Sequence, residues 1–327
     1  MPVDWSRFVE VIQRHQRFLI TSHIRPDADA LGSELGMARI LDALGKQVRI
    51  VNGHATPPNL ATLDPEGRIQ ALESADPANP AEDREVILIL DTSAWAQLGP
   101  MSEVIRASDA LRVVLDHHVG EDELGAEFFK DTQAEAAGTL VYQAAIQLGV
   151  ALTPEIARAL FAAIATDTGW FRFSSTRSST YRVAAELVDA GVCPDRLFRE
   201  LYEQDTLGRV RLRGRILSRV VAERDGRFVH TYVLHEDFDA TGALPSDTED
   251  VINQTLAIAG TEVAVILVEQ AGGGFKLSFR SRSQVDCSQL AGQFGGGGHK
   301  AAAGAFFDGP FDRAQPAVLD AVRAAMR

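Results

Sequence analysis

Val86-Ile87-Leu88-Ile89-Leu90 is apolar at every position, and the run from Leu111 to Leu115 is broken only by Arg112. A strand with one wet face alternates apolar and polar side chains. A run without alternation is buried on both faces, as in a parallel sheet covered by helices. Phe18-Leu19-Ile20-Thr21-Ser22 and Val48-Arg49-Ile50-Val51 read as two more short strands, separated by an amphipathic helical pattern over 29–44 that stops near Gly45. Asp4 caps a first helix that carries Trp5, Phe8, Val9 and Ile12 on one face. Further helices are predicted over 134–149, from Ile156 to about Ala165 and over 178–190; Thr153-Pro154-Glu155 is a strong start signal for the second. Strands alternating with helices predict an α/β fold with a parallel sheet covered on both faces.

The pattern changes after residue 190. We read 1–190 as one domain, 191–218 as a helical linker, and 219–327 as a second, smaller α/β domain. The second domain has strands at Phe228 to Leu234, Glu262 to Val268 and Phe275 to Phe279, with Gly272-Gly273-Gly274 as a hairpin turn. In the linker Arg209, Arg211, Arg213 and Arg215 alternate with Val210, Leu212 and Gly214. This stripe reads better as a solvated helix face or an interdomain pairing surface than as an RNA contact.

With 327 residues, 46% hydrophobic and 24% charged, the chain can bury one large core or two smaller ones. Its formal net charge of -13 excludes a bulk polyanion binder and suits either solubility or a carboxylate-rich metal site. Cys193 and Cys287 lie far apart with no CxxC spacing, which excludes a disulfide scaffold and a zinc ribbon and suits a reducing cytosol. Residues 1–7 lack a signal-peptide pattern, and no apolar run approaches the roughly 20 residues that span a bilayer. A cytoplasmic protein without a membrane partner is expected.

Acid and imidazole side chains gather at the ends of predicted elements. Ser22-His23-Ile24-Arg25-Pro26-Asp27-Ala28-Asp29 follows a strand and opens a helix, Asp91 follows Val86–Leu90, Asp116-His117-His118 ends the 111–115 strand, and Asp167 ends a helix. Alone, an Asp after a strand caps the next helix and a His fills a structural role. Together these groups converge on one sheet edge, where open α/β sheets bind ligands. Carboxylates and imidazoles without thiolate suit Mn2+ or a similar divalent ion. So many carboxylates fit two ions, about 3.5–4 Å apart and sharing one carboxylate, better than one.

These motifs resemble those of the DHH phosphoesterase superfamily. Asp116-His117-His118 is similar to its naming motif, His23-x-x-Pro26-Asp27-x-Asp29-Ala30-x-Gly32-Ser33 to its first, Asp91 to its second and Asp167-Thr168-Gly169 to its fourth. Gly296-Gly297-Gly298-His299 is similar to the signature of the DHH-associated domain. The resemblance covers nearly the whole chain, and size and layout are similar to the nanoRNase type. It implies one metal held by His23, Asp27 and Asp91 and a second held by Asp29, Asp91, His117 and Asp167, so that Asp91 bridges. Water activated between them would attack phosphorus in line. Among the catalytic residues Asp91, His118 and Asp116, His118 would contact substrate, and Asp116 would orient His117 by accepting its other ring N–H.

In the second domain four consecutive glycines, Gly295 to Gly298, permit a close backbone approach to a ligand. With Arg280, Ser281, His299 and Lys300, Gly297 and Gly298 are expected to hold a substrate phosphate, with Ala-rich residues 300–303 opening a helix behind them. The family places this loop across a cleft from the metals. The implied activity is Mn-dependent hydrolysis of short single-stranded RNA and dinucleotides to mononucleotides, with dephosphorylation of 3′-phosphoadenosine 5′-phosphate. Alternatives are a linear or cyclic dinucleotide phosphodiesterase, a single-strand DNA exonuclease and an idle nucleotide-binding module. An oligomer of identical chains is compatible with everything above.

Overall fold

Among the described residues, strands at Arg17–Thr21 (β1), Gln47–Asn52 (β2), Ile69–Ala71 (β3), Val86–Leu90 (β4), Leu111–Asp116 (β5) and Glu127–Lys130 (β6) form one sheet in the order β3-β2-β1-β4-β5-β6. Every pairing in it is parallel. The structure is a computed structural model that describes residues 3–75, 79–248 and 250–326. Met1, Pro2 and Arg327, the ends of the two expected domain spans, lie outside the described residues.

The unbroken apolar run of β4 is explained by two cores. Val86, Leu88 and Leu90 face one hydrophobic cluster, while Ile87 and Ile89 face another on the opposite side. Val113 and Leu115 of β5 join the first cluster and Val114 the second, so the sheet is covered on both faces. The strand order reverses between β1 and β4, and the crevice outside their carboxyl ends is the expected ligand position in an open α/β sheet.

Helix Ala28–Ala43 departs from the amphipathic expectation. It is buried on nearly all sides, from Ala28 to Ala38 and again at Ile40 and Leu41. It lies against helices Ala137–Gln147 and Pro154–Asp167 as well as the sheet, and its small residues make that fit. A Cβ on Gly32 would stand 2.4 Å from the Ala159 carbonyl oxygen, so only glycine allows this approach.

The chain divides into two units, Met1–Glu203 and Gln204–Arg327. The expected linker over 191–218 is thus not a separate element. Helix Pro194–Tyr202 belongs to the first unit, where Leu197 enters the main core and Phe198 meets Trp170 edge-on. Helix Leu207–Ser218 belongs to the second, where Leu212 and Ile216 are buried beneath the sheet. Three arginines of the stripe are paired inside that unit, Arg209 and Arg213 with Asp205 and Arg215 with Asp237, and Arg211 is exposed.

The second unit is built on strands at Val221–Glu223 (β7), Phe228–Val233 (β8), Val263–Glu269 (β9), Phe275–Ser281 (β10), Gly297–Gly298 (β11) and Ala302–Phe307 (β12), in the order β11-β12-β10-β9-β8-β7. The triple glycine is the expected hairpin, closed by Gln270 N–H donating to the Gly274 carbonyl. Residues 300–303 do not open a helix. They turn, with His299 N–H donating to the Ala302 carbonyl, and enter β12. The helix preference of alanine yields here to strand pairing, because small residues let β11 and β12 approach closely. No helix among the described residues is long and apolar enough to cross a membrane.

Candidate metal centre

Five elements bring the site together at the carboxyl edge of the first sheet. His23 follows β1, Asp91 follows β4, and His117 and His118 follow β5. Asp27 and Asp29 open helix Ala28–Ala43, and Asp167 ends helix Pro154–Asp167. The close crossing at Gly32 brings the start of one helix against the end of the other. The site borders a cavity of about 520 Å³, also lined by Thr92, Ser93, Gln97 and Gly120.

Asp91 is the centre of the geometry. It is 2% exposed, and its backbone adopts φ 59°, a left-handed conformation that Asp tolerates better than most residues. One carboxylate oxygen lies 3.3 Å from His23 Nε2 and the other 3.3 Å from His117 Nε2. The second oxygen is fully buried, yet no aligned donor satisfies it. A buried acceptor left in this state is costly, and a cation satisfies it.

Donor atoms converge in overlapping groups within 4.8 Å: His23, Asp27 and Asp91; Asp29, His117 and Asp167; Asp91, His117 and His118. The chemistry of these donors, carboxylate and imidazole without sulfur, fits a divalent ion. Each is aimed by its surroundings. His23 Nδ1 contacts the Ile24 carbonyl at 2.9 Å, which leaves Nε2 for the site. Asp27 caps its helix by accepting the Asp29 and Ala30 N–H groups. Asp29 accepts the N–H groups of Ala137 at 2.7 Å and Gly138 at 2.9 Å, together with the Ser33 hydroxyl.

Those N–H groups depend on a detail that the sequence misplaced. The helix expected from 134 starts at Ala137, and the non-helical residues before it serve the site. The Ala134 carbonyl lies 3.2 Å from His117 Nδ1.

Asp116 therefore does not orient His117. It orients His118, whose backbone N–H and ring Nδ1 lie 3.1 and 2.8 Å from the same Asp116 oxygen. The reason is local: the Asp116 side chain closes a turn onto the N–H two residues on, while His117 Nδ1 is already met by the Ala134 carbonyl. The adjacent imidazoles thus differ, with the side chain of His117 14% exposed and that of His118 57%.

Electrostatics follow from burial and proximity. Burial disfavours the charged imidazole of His23, but the Asp91 carboxylate 3.3 Å away outweighs this and raises it to about 9; the same balance raises His117 to about 10. Burial would raise Asp91, but the imidazoles of His117 and His23, each 3.3 Å away, bring it below the usual carboxylate range. Asp29 goes well up, through burial and then the negative charge of Asp91, and Asp167 rises to about 6 mainly through burial.

Protons thus occupy positions that a cation would claim. In chelator-treated protein both histidines bind protons more tightly folded than unfolded. Their contribution to stability is complete below their unfolded value of 6.5 and is lost as pH rises through about 9 and 10. Two outcomes are expected. The Tm of chelator-treated protein falls between pH 7 and 10, and divalent-ion binding at pH 7 releases protons, measurable by titration calorimetry in buffers of different ionisation enthalpy. Proton-neutral binding would contradict the assignment of His23 and His117.

The other expected residues lie in the second unit. Arg280 is in β10 opposite Ala302, and Ser281 N–H donates to the Ala301 carbonyl. Gly297 and Gly298 form β11, with Gly298 at φ 145°, and His299 and Lys300 are exposed at the turn into β12. One end of this sheet therefore carries all six.

Residues 17–164 match the DHH family, N-terminal domain, and residues 225–327 match the DHHA1 domain. The chain is 34% identical to the bifunctional oligoribonuclease and PAP phosphatase NrnA of Thermus thermophilus, over 93% of this chain and 88% of that protein. It is 26% identical to the protein of the same name in Bacillus subtilis, over 92% of each. Its fold is similar to that of an exopolyphosphatase-related protein from Bacteroides fragilis, with a TM-score of 0.86, 26% identity, and coverage of 98% of this chain and 94% of that one. With both domains in sequence and a relative this similar across almost its full length, the chain belongs to the DHH family.

Proposed function

We propose that this protein is a Mn-dependent phosphoesterase. It cleaves short single-stranded RNA and dinucleotides to mononucleotides and removes the 3′-phosphate of 3′-phosphoadenosine 5′-phosphate, acting in the cytoplasm. The observation that carries this reading is Asp91, whose two buried oxygens each face a different imidazole within converging donor groups. The shared name of its relatives supports the choice of substrates.

His23, Asp27 and Asp91 would hold one ion, and Asp29, Asp91, His117 and Asp167 the other. Divalent ions bound there would polarise a phosphoryl oxygen and lower the pKa of the attacking water. The remaining work belongs to the chain. His118 has Nδ1 committed to Asp116, which leaves Nε2 at the cavity to donate to a phosphoryl oxygen as negative charge grows. Asp116 holds that ring in one orientation. Arg280, Ser281, Gly297, Gly298, His299 and Lys300 would grip a second phosphate and select short substrates.

The test is a digestion panel with Mn2+: RNAs of graded length labelled at either end, DNA of the same sequences, linear and cyclic dinucleotides, and adenosine bisphosphate. Release of mononucleotides from the shortest RNAs and of phosphate from the bisphosphate is expected. Hydrolysis confined to DNA or to cyclic dinucleotides overturns the substrate assignment, and no hydrolysis of any substrate leaves a binding module.

Arg280→Ala separates the two halves of the proposal. It should raise KM by roughly 10-fold or more, the loss expected for a charge-assisted phosphate contact, while the Mn2+ isotherm stays unchanged. Loss of Mn2+ binding would refute the role given to Arg280.

A further inference from the structure

We propose that Lys130 and Ser93 are positioning residues for His118 and act on it through Asp116. This rests on the reading of His118 as the substrate contact. Asp116 is fully buried. One of its oxygens is taken up by His118; the other accepts the Ser93 hydroxyl at 2.7 Å and lies 3.1 Å from Lys130 Nζ. Lys130 is the register partner of Asp116 across β5 and β6, so the two side chains share a face of the sheet.

An ammonium group has three N–H bonds. Those of Lys130 have three acceptors: the Asp116 carboxylate at 3.1 Å, Ser93 Oγ at 2.7 Å and the Gly120 carbonyl at 2.7 Å. The Lys130 side chain is 10% exposed. It is therefore a saturated, nearly buried tripod that joins three segments, with the exposed Glu121 carboxylate 3.6 Å away. Ser93 follows Asp91 after β4, Asp116 ends β5, and Gly120 lies just after His118 on the cavity wall.

The arrangement has a consequence for the site. The side chain of His118 is 57% exposed, so its own charge is a poor counterweight for a fully buried carboxylate. Lys130 supplies a permanent one on the far oxygen. With one oxygen locked by Lys130 and Ser93, the carboxylate has no free rotation, and the near oxygen holds the His118 ring in a single orientation. Gly120, held by the same lysine, fixes the backbone two residues after His118.

Lys130→Met, His118→Ala and the double variant test this on an RNA dinucleotide with Mn2+. Lys130→Met is expected to lower kcat by roughly 10–100-fold, the usual loss on removing an orienting partner, with little change in KM. In the His118→Ala background the same substitution is expected to change kcat by less than about twofold, because a partner that acts only through an absent ring has nothing left to contribute. The Mn2+-dependent rise in Tm should match wild type.

A Lys130→Met loss that persists undiminished in the His118→Ala background would overturn the inference and leave a merely structural ion pair. Wild-type turnover in Lys130→Met would overturn it too. Wild-type turnover in His118→Ala alone would instead remove the reading of His118 on which this inference stands. Should Lys130→Met fail to fold, the same cycle is run with Ser93→Ala, which keeps the ion pair and is read by the same two outcomes.

Discussion

Asp91→Asn is expected to give a folded protein that no longer gains thermal stability from Mn2+ and has lost roughly 10³-fold or more of its turnover, well beyond the about 10–100-fold typical of an outer partner. Asparagine matches the shape of aspartate and tolerates the positive φ found here, so the β4 terminus survives. The charge does not. Asp91 faces His23 through one oxygen and His117 through the other, and both donor groups lose their shared anion at once. An amide nitrogen in either place would also present a donor where a cation belongs. Two measurements check this: Tm with and without Mn2+, where bound ligand raises the folded state's stability, and dinucleotide hydrolysis. Retention of the full Mn2+-dependent Tm rise would remove Asp91 from the centre of the site.

Gly32→Ala is expected to destabilise the first unit by about 3 kcal/mol, roughly 6–12 °C in Tm. The added methyl group would lie 2.4 Å from the Ala159 carbonyl oxygen, 3.0 Å from Ala163 Cβ and 3.1 Å from Ala163 N. Two of these obstacles are backbone atoms that no rotamer change can move, so the helices must separate. Because Asp29 begins one helix and Asp167 ends the other, separation also spreads the donors around His117. Mn2+ affinity is therefore expected to fall along with Tm. Unchanged thermal unfolding would show that the crossing has slack, and an unchanged isotherm would show that it does not set the donor geometry.

The two substitutions mark different depths of information. Asp91 stood out because a titratable residue directly after five apolar ones has a narrow set of explanations. The same reasoning found His23, Asp27, Asp29, His117, His118 and Asp167, which the fold brings to one sheet edge. Gly32 was visible only as a motif letter. Its packing role depends on Ala159 and Ala163, more than a hundred residues away, and no local pattern reports such an approach.

Lys130 and Ser93 were missed for a related reason. Glu127–Lys130 is too short, and too mixed in polarity, to be read as a strand, so nothing indicated that Lys130 lies beside Asp116. The role of Asp116 was misassigned because its partner is set by the turn it closes onto His118 and by the Ala134 carbonyl that meets His117. The alanines at 300–303 misled through intrinsic preference, which pairing with a neighbouring strand overrode.

By itself the sequence determined the doubly covered sheet, through the unalternating runs of β4 and β5, and the identity of the polar residues at its edge. Burial on two faces and ligation by oxygen and nitrogen are properties of residue type and of order along the chain. Tertiary structure alone decided which imidazole each carbonyl or carboxylate holds, where the helix that supplies Asp29's N–H donors begins, and how a nearly buried lysine faces Asp116. These contacts, some between residues distant in sequence and some between neighbours, have energies that depend on direction over tenths of an ångström.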